Sequence, residues 1–259
     1  SVITINDGSI INLYGGGYAG NINQNSNIEV KGGSITDSLY GGGYQGAINQ
    51  NTNIKVTNGT IKRLFGGGNE GNVEVDTNIT IEGGTTTNIF GGGLAGDVYQ
   101  DTNVIINDGS IDSLFGGGYA GEVLNQTNIE ISDGTIKKSL YGGGYEGDVE
   151  LVDIELNGGI IHESVYGGGF AGDVNDSVRV LEKGTTIEGS LYGGGYEGNI
   201  LNKAEVIVNK GTINENIYGG GYAGTANQTS VTVEETDYNQ IQIGKNVFGG
   251  GKGVSASVY

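Results

Sequence analysis

Few residues in this chain have the side chains that acid–base or metal chemistry requires. There is one histidine, His162, and no cysteine, so proton transfer would depend on His162 or on carboxylates, and disulfides and Cys/His zinc sites are excluded. His162 occurs in a single repeat, in a predicted bend beside Glu163. The two arginines, Arg63 and Arg179, lie four repeats apart and do not form the arginine-and-carboxylate cluster of a polysaccharide-cleaving site. We therefore expect a non-enzymatic protein without a cofactor.

One column of carboxylates offers the oxygen ligands that a hard cation such as Ca²⁺ prefers. It follows the last glycine of a repeated motif in four consecutive repeats and consists of Asp97, Glu122, Asp148 and Asp173. Asparagine fills the same position in other repeats, and the spacing matches no calcium-binding loop. We expect no metal site and keep the column as a weak calcium candidate, because a solvated acidic corner explains it equally well.

The aromatic residues form the strongest pattern. A tyrosine or phenylalanine precedes every Gly-Gly-Gly triplet, and these residues are the first aromatic column: Tyr14, Tyr40, Phe65, Phe90, Phe115, Tyr141, Tyr166, Tyr192, Tyr218 and Phe248. In six repeats a tyrosine also follows the triplet, and these residues begin the second aromatic column: Tyr18, Tyr44, Tyr119, Tyr145, Tyr196 and Tyr222. The other repeats have Asn69, Leu94, Phe170 and Lys252 at that second position.

Two roles fit these columns. Stacked rings would hold neighbouring repeats in register, whereas an exposed strip of tyrosines would bind sugar rings. Alternation along a strand places Tyr40 and Tyr44 on one face and Leu39 on the other, so burial of Leu39 would turn both columns outward. The columns hold 12 of the 15 tyrosines, whose hydroxyls are hard to satisfy in a dry core. We expect the first column to be a structural ladder and the second, the candidate ligand strip, to be partly exposed.

The glycines reveal the architecture that positions these side chains. Gly-Gly-Gly occurs ten times, from the triplet at Gly15 to the triplet at Gly249, with spacings of 25 or 26 residues and a last spacing of 30. Most of the 54 glycines occupy repeated positions. A constant period of this length predicts stacked structural repeats.

Each repeat contains strand signals and no helical pattern. Residues 27–31 and their equivalents alternate polar and apolar, a glycine turn follows, and the repeat ends in Leu-aromatic-Gly-Gly-Gly. Three short strands per repeat predict an all-β, right-handed parallel β-helix of about ten coils of 25–26 residues, folded as one domain over residues 1–259. A propeller needs longer blades, and a barrel needs one long strand or hairpin per repeat.

Composition excludes several partners. The net charge is −18, from 30 acidic and 12 basic residues, and the isoelectric point is near 4.2, which argues against binding nucleic acid or anionic membranes. No run of about 18 apolar residues is present, so we expect no membrane insertion. No signal peptide is visible. The absence of methionine indicates a processed form or a segment of a longer chain.

A row of threonines suggests a further function. Thr52, Thr77, Thr102 and Thr127 recur at one position, and a flat threonine face is typical of ice binding. The second parallel row that such a face needs is missing, because Ile54 and its equivalents occupy the position two residues further on. An ordinary hydrogen-bonded column is the favoured interpretation.

The repeated phrases Leu-Tyr-Gly-Gly-Gly-Tyr-x-Gly-x-Val/Ile and Thr-Asn-Ile-x-Ile-x-x-Gly-Thr-Ile resemble Gly-rich β-helical repeat regions of bacterial surface proteins, including adhesin and autotransporter-like passenger regions. The resemblance covers essentially the whole chain and is specific for architecture rather than for a ligand. It implies secretion, a bacterial cell-surface or extracellular location, and a stalk, fibre or adhesion role. No catalytic residues carry over from it.

The two ends show no capping helix or charged plug. The chain opens inside a strand at Val2, and one polar insertion, residues 234–238, is expected to protrude as a loop. We expect a structural rod, a fibre subunit or adhesin stalk, whose ends pair with other copies or with flanking domains of a longer chain. The alternative is an adhesin that binds host or environmental glycans through its tyrosine columns.

Overall fold

The computed structural model describes residues 1–235 and 240–253 and confirms a β-solenoid of stacked parallel turns, about nine in number. Its strands are β1 (Val2–Ile5), β2 (Ser9–Tyr14), β3 (Ser26–Val30), β4 (Ser34–Tyr40), β5 (Thr52–Val56), β6 (Thr60–Phe65), β7 (Thr77–Phe90), β8 (Thr102–Phe115), β9 (Val123–Ile131), β10 (Thr135–Ile136), β11 (Leu140–Tyr141), β12 (Val149–Leu156), β13 (Ile160–Ile161), β14 (Val165–Tyr166), β15 (Val178–Ile187), β16 (Leu191–Tyr192), β17 (Ile200–Ile213), β18 (Ile217–Tyr218), β19 (Ala226–Val233), β20 (Ile241–Ile243) and β21 (Val247–Phe248). Across the two described ranges there is no helix, and hence none long and apolar enough to cross a membrane.

Each strand pairs in parallel with the strand one period later in the chain. β3 aligns Ser26 with Thr52 of β5, and β7 aligns Thr77 with Thr102 of β8. The three short strands predicted for each repeat are present as three hydrogen-bonded segments, which merge in places, as in the 14-residue β7. The shortest segment is a single bridge in several turns, such as Ile22 with Ile48. The ten triplets therefore mark the boundaries of nine full turns.

The difference between turns of 25 and 26 residues is absorbed in two bends, one after Ile35 and its equivalents and one after Ile200 and its equivalents. Between β4 and β6, Ile35 pairs with Ile61 and Ser38 pairs with Arg63, so two residues of one turn lie opposite one residue of the next. The extra residue of the longer turn lies outside the inward-facing strands and does not reverse their side-chain alternation. This arrangement keeps the core positions aligned through every turn.

An aliphatic core runs through the solenoid. Most inward positions of each turn are Leu, Ile, Val or Ala, and these residues form one cluster that is nearly inaccessible to solvent. Leu39 is fully buried in this cluster, while Tyr40, the next residue, belongs to a separate aromatic cluster. Alternation along the strand therefore places the two residue types on opposite sides of one wall, as the sequence predicts.

The triplet glycines allow the backbones of neighbouring turns to approach closely. A Cβ added to Gly42 would lie 2.7 Å from backbone atoms of Gly68 in the next turn. A different constraint acts at the turn glycines, such as Gly59, whose φ of 109° is unfavourable for residues with a side chain. Glycine is thus required at the triplets because a side chain has no space there, and at the turns because the backbone has a positive φ.

The threonine row points inward, so the interpretation of these residues as an ice-binding face is wrong. Thr52, Thr77, Thr102 and Thr127 are fully buried. The hydrogen bonds between turns use the carbonyls of Phe90 and Gly92 and omit that of Gly91, which instead accepts the hydroxyl of Thr77 at 2.6 Å. The threonines therefore satisfy buried carbonyls that the ladder leaves unpaired.

The predicted polar insertion is only partly described. Thr236, Asp237 and Tyr238 lie outside the described residues, as does the segment 254–259. Within the described part, the Glu235 carboxylate accepts the backbone N–H of Ile241 at 3.2 Å. The protruding loop stays a prediction.

Two glycines of one column give a test of the packing argument. A Cβ at Gly96 would collide with the carbonyl oxygen of Gly71, whereas a Cβ at Gly20, in the first turn, would have nothing within 4 Å. We expect Gly96→Ala to lower the free energy of unfolding by about 1–3 kcal/mol. Gly20→Ala should change it by less than about 0.5 kcal/mol. Denaturant unfolding measures both, and equal effects would contradict the proposed role of close approach.

Candidate functional site

The first aromatic column is a continuous stack of ten rings. From Tyr14 to Phe248, successive ring centroids are 4.8–5.0 Å apart and ring planes differ by 3–12°. Most members are buried, among them Phe65 and Tyr192, although they lie outside the aliphatic core. The rings therefore form a second core on the outer side of the strand wall.

The second aromatic column covers the first. Its rings stack on one another with centroids 4.8–5.0 Å apart and planes within 1–14°. They also meet first-column rings of the preceding turn edge to face, with centroids 5.6–6.1 Å apart, as Tyr145 meets Phe115. Phe170 extends this stack, and the ammonium group of Lys252 lies 4.7 Å from the ring of Tyr222.

The second column is partly exposed, but it is not a flat strip of ring faces. Tyr44, Tyr119, Tyr145, Tyr196 and Tyr222 are half-buried, and Tyr18 in the first turn is 75 % exposed. Because each ring packs face to face on its neighbour, solvent meets mainly ring edges and hydroxyls along the column. A sugar ring that stacks on an aromatic face could reach such a face only where the column is interrupted or ends.

The column is interrupted for two turns, at Asn69 and Leu94. Asn69 donates a hydrogen bond from Nδ2 to the hydroxyl of Tyr40 at 3.1 Å, and Leu94 packs against the buried aromatic cluster. These smaller residues leave one face of Tyr44 and one face of Tyr119 without a partner ring. The interruption is therefore a place within the candidate ligand strip where tyrosine faces have no ring stacked on them.

Burial changes the acidity of two first-column phenols. It raises the pKa of Tyr192 to about 12 and also raises the pKa of Tyr166, while hydrogen bonds from Ser190 and Ser164 oppose these shifts. These two phenols therefore stay protonated at neutral pH, and their hydroxyls act as hydrogen-bonding groups.

Three of the four carboxylates of the calcium candidate, those of Asp97, Asp148 and Asp173, accept backbone N–H groups. Asp97 accepts the N–H of Glu122 at 3.0 Å, and Asp148 accepts the N–H of Asp173 at 2.8 Å. Each of these carboxylates thus satisfies a peptide group in the next turn. Within residues 1–235 and 240–253, no group of three or more His, Asp or Glu side chains is arranged to hold a metal ion.

The structure does not bring together the residues that sequence reasoning considered for catalysis. His162 is exposed and its Nδ1 lies 2.8 Å from Glu188. Arg63 binds Asp37 at 2.6 Å, and Arg179 binds Asp153 at 2.8 Å and Glu155 at 3.1 Å. Each group belongs to a separate pair between nearby turns.

A shallow groove on one lateral face was not anticipated. It runs along the outer surface of β1, β3, β5 and β7, with a volume of about 340 Å³ beside Asn27 and Asn53. Asn27, Asn53 and Asn78 line it. They begin a ladder of side-chain amides in which each later asparagine donates to the asparagine of the preceding turn at 2.9–3.0 Å, and which continues beyond the groove: Asn27, Asn53, Asn78, Asn103 and Asn128. The recurring Thr-Asn-Ile phrase was the sequence signal for this ladder.

A buried acid, Glu182, also escaped the sequence reasoning. It pairs with Leu156 in one neighbouring turn and Val208 in the other, and is 0 % exposed. Its Oε1 accepts the N–H groups of Gly184 at 2.8 Å and Thr185 at 2.6 Å, whereas its Oε2 has no partner. Alignment of the repeats would have shown an acid in an aliphatic column.

Comparisons of this chain with protein-family models, with curated proteins and with solved structures gave no match.

The interruption in the second column predicts a stabilising substitution. In Leu94→Tyr the new ring would stack on Tyr119 and meet Phe65 edge to face, so we expect the free energy of unfolding to rise by about 0.5–1.5 kcal/mol. The matched reverse change, Tyr145→Leu, removes stacking on Tyr119 and Phe170 and should be destabilising. Denaturant unfolding of both variants is the measurement. Destabilisation by Leu94→Tyr would show that this turn has no space for a ring.

Proposed function

We propose that this chain is a non-enzymatic structural rod of a bacterial cell-surface or extracellular protein, either a fibre subunit or the stalk of an adhesin. The observation that carries the proposal is the continuity of the columns. The aliphatic core and the first aromatic column run from the first described turn to the last, and strand pairing joins neighbouring turns throughout. At one strand spacing per turn, nine turns extend about 43 Å.

The distribution of charge supports an aqueous, extended surface. Most basic side chains pair with acids of the same or a nearby turn, such as Lys183 with Glu155 at 2.9 Å and Lys137 with Asp112 at 3.3 Å. The remaining acids give the surface its large negative charge, which opposes lateral aggregation of rods. The bacterial surface location rests on the resemblance of the repeats to adhesin-like regions.

Two kinds of partner are proposed for the ends of the rod: another copy of the chain, or a neighbouring segment of a longer chain. The first turn exposes Val2, Ile11 and Tyr18, and the last described turn exposes Val247 and Phe248. Tyr18, Val247 and Phe248 belong to columns that are covered in the middle of the rod. Either partner would continue the columns by adding a further turn.

Small-angle X-ray scattering tests the rod. Removal of residues 78–152 joins Thr77 to Asp153, preserves the register Thr77–Thr102–Thr127–Val152 and removes three turns. We expect the maximum dimension to fall by about 14 Å with cooperative unfolding retained, because each turn contacts its neighbours alone. Removal of residues 78–139 joins unlike segments and should abolish cooperative unfolding. Loss of folding after the in-register deletion would contradict the rod.

Small-angle X-ray scattering over a concentration series distinguishes the two kinds of end partner, since growth in length with concentration indicates end-to-end association of copies.

Surface location needs a cellular test. Antibodies should label intact cells that make the protein, and protease treatment before lysis should remove the signal while a cytosolic marker persists. Protection of the chain until lysis would overturn the proposed location.

The alternative function is carbohydrate binding by the second aromatic column. The observation in its favour is the interruption at Asn69 and Leu94, where Tyr44 and Tyr119 each have one face free of a partner ring. A glycan lying across this interruption would stack on those faces and hydrogen-bond to the neighbouring side chains.

A glycan array followed by mutagenesis tests this alternative. A Tyr44→Ala, Tyr119→Ala variant should lose binding at least tenfold, given about 1.4 kcal/mol or more for the lost ring contacts. Tyr99→Ala is the matched control, because Tyr99 is an exposed tyrosine outside both columns. No binding on the array, or unchanged affinity in the double variant, removes the alternative and leaves the rod unaffected.

A further inference from the structure

The corner at residues 182–185, within β15, contains the one inward-facing acid of the described turns. Glu182 occupies the column of Val30, Val56, Ile81, Ile106, Ile131, Leu156 and Val208, which is otherwise aliphatic. Its side chain is inaccessible to solvent, and its carboxyl bends back onto the backbone of Gly184 and Thr185 within the same strand. In the other turns named, this position holds an aliphatic side chain.

The hydrogen bonds around the carboxyl are incomplete. Oε1 accepts two backbone N–H groups, from Gly184 and Thr185, but Oε2 is buried without a partner. Gly211 of the next turn packs directly on Oε1, and a Cβ there would collide with it. A buried carboxylate with an unpaired oxygen is costly, and its neutral form costs much less.

No charged group at this corner offsets the cost of ionising the Glu182 carboxyl. On β12 and β17 its inward neighbours are Leu156 and Val208. On the outer side, the Lys183 ammonium binds Glu155 at 2.9 Å, and Lys210, which pairs in register with Lys183, is exposed. Burial raises the pKa of Glu182 to about 8, the two backbone hydrogen bonds oppose the shift, and no charged side chain contributes to it.

We propose that Glu182 is a proton-operated latch that keeps the corner of residues 182–185 and 208–211 closed while its carboxyl is protonated and opens it when the carboxylate forms. The ionised group needs water at Oε2, and water reaches it only if Gly211 and its turn separate from β15. The change is local, because each turn of a solenoid contacts only its neighbours. The rod would thus have one turn whose closure depends on pH.

The direction of the pH dependence follows from linkage. The pKa of Glu182 in the closed corner lies above 4.5, the ordinary pKa of a glutamate, so the closed corner binds more protons than the open one between pH 4.5 and about 8. Closure is therefore most stable below pH 4.5, weakens as pH rises toward about 8, and changes no further above that value. This is opposite to the behaviour of an acid held in a salt bridge.

Hydrogen–deuterium exchange, corrected for intrinsic rates, tests the latch. In the wild type, exchange of peptides covering residues 182–187 and 206–213 should accelerate on the order of a hundredfold between pH 5 and pH 8. Glu182→Gln keeps an oxygen acceptor without a charge, and Glu182→Leu restores the column residue of the preceding turn, so both should abolish the acceleration. Glu130→Gln, on an outward position, should leave it unchanged, and residues 77–90 should show none in any variant.

A direct titration completes the test. The carboxyl-carbon resonance of Glu182, assigned by its loss in Glu182→Gln, should titrate near pH 8. Titration below pH 5, pH-independent exchange at the corner in the wild type, or unchanged pH dependence in both variants would each overturn the proposal.

Discussion

Neighbouring turns lie one strand spacing apart, about 4.8 Å, and every column of this protein depends on that distance. A side chain at any position meets its equivalents in the turns on either side. Aromatic rings at equivalent positions stack at this distance. Side-chain amides at equivalent positions form hydrogen bonds from one turn to the next, as Asn53 donates to Asn27. Like charges do not repeat favourably at this spacing. The acidic column is tolerated because the carboxylates of Asp97, Asp148 and Asp173 each accept a backbone N–H of the next turn.

The same spacing explains why glycine occurs in triplets beside aromatic residues. The strand wall places Leu39 inside and Tyr40 outside, and the chain then reverses so that Tyr44 covers rings of the first column. The reversal brings backbone directly against backbone of the next turn, where no Cβ fits. One wall therefore supports two cores, an aliphatic one within the solenoid and an aromatic one on its outer side.

Much of this architecture could be predicted, because the period and the strand alternation are local properties of the sequence. Alternation assigns Leu39 and Tyr40 to opposite faces without further information. It also assigns Thr52 to the face of Ile54, so the burial of the threonines was available from the same rule. Their hydrogen-bond acceptor was not, since the Gly66 carbonyl reaches Thr52 only when the turn closes. The orientation of the rings depends on side-chain torsions that spacing does not specify, and this orientation decides whether the tyrosines present faces or edges.

In a fold of this kind the stability is a sum of turn energies and contacts between neighbouring turns. An unfavourable inward residue therefore weakens the turns that touch it and leaves the others unchanged. This locality explains how the column from Val30 to Val208 can contain Glu182 and still form a continuous core. It also separates two kinds of variation along the rod. Outward residues such as Lys55 and Thr80 differ between turns at little cost, so surface recognition would depend on them. An inward change is costly, and its effect is confined to one corner, which is the condition that a local switch requires.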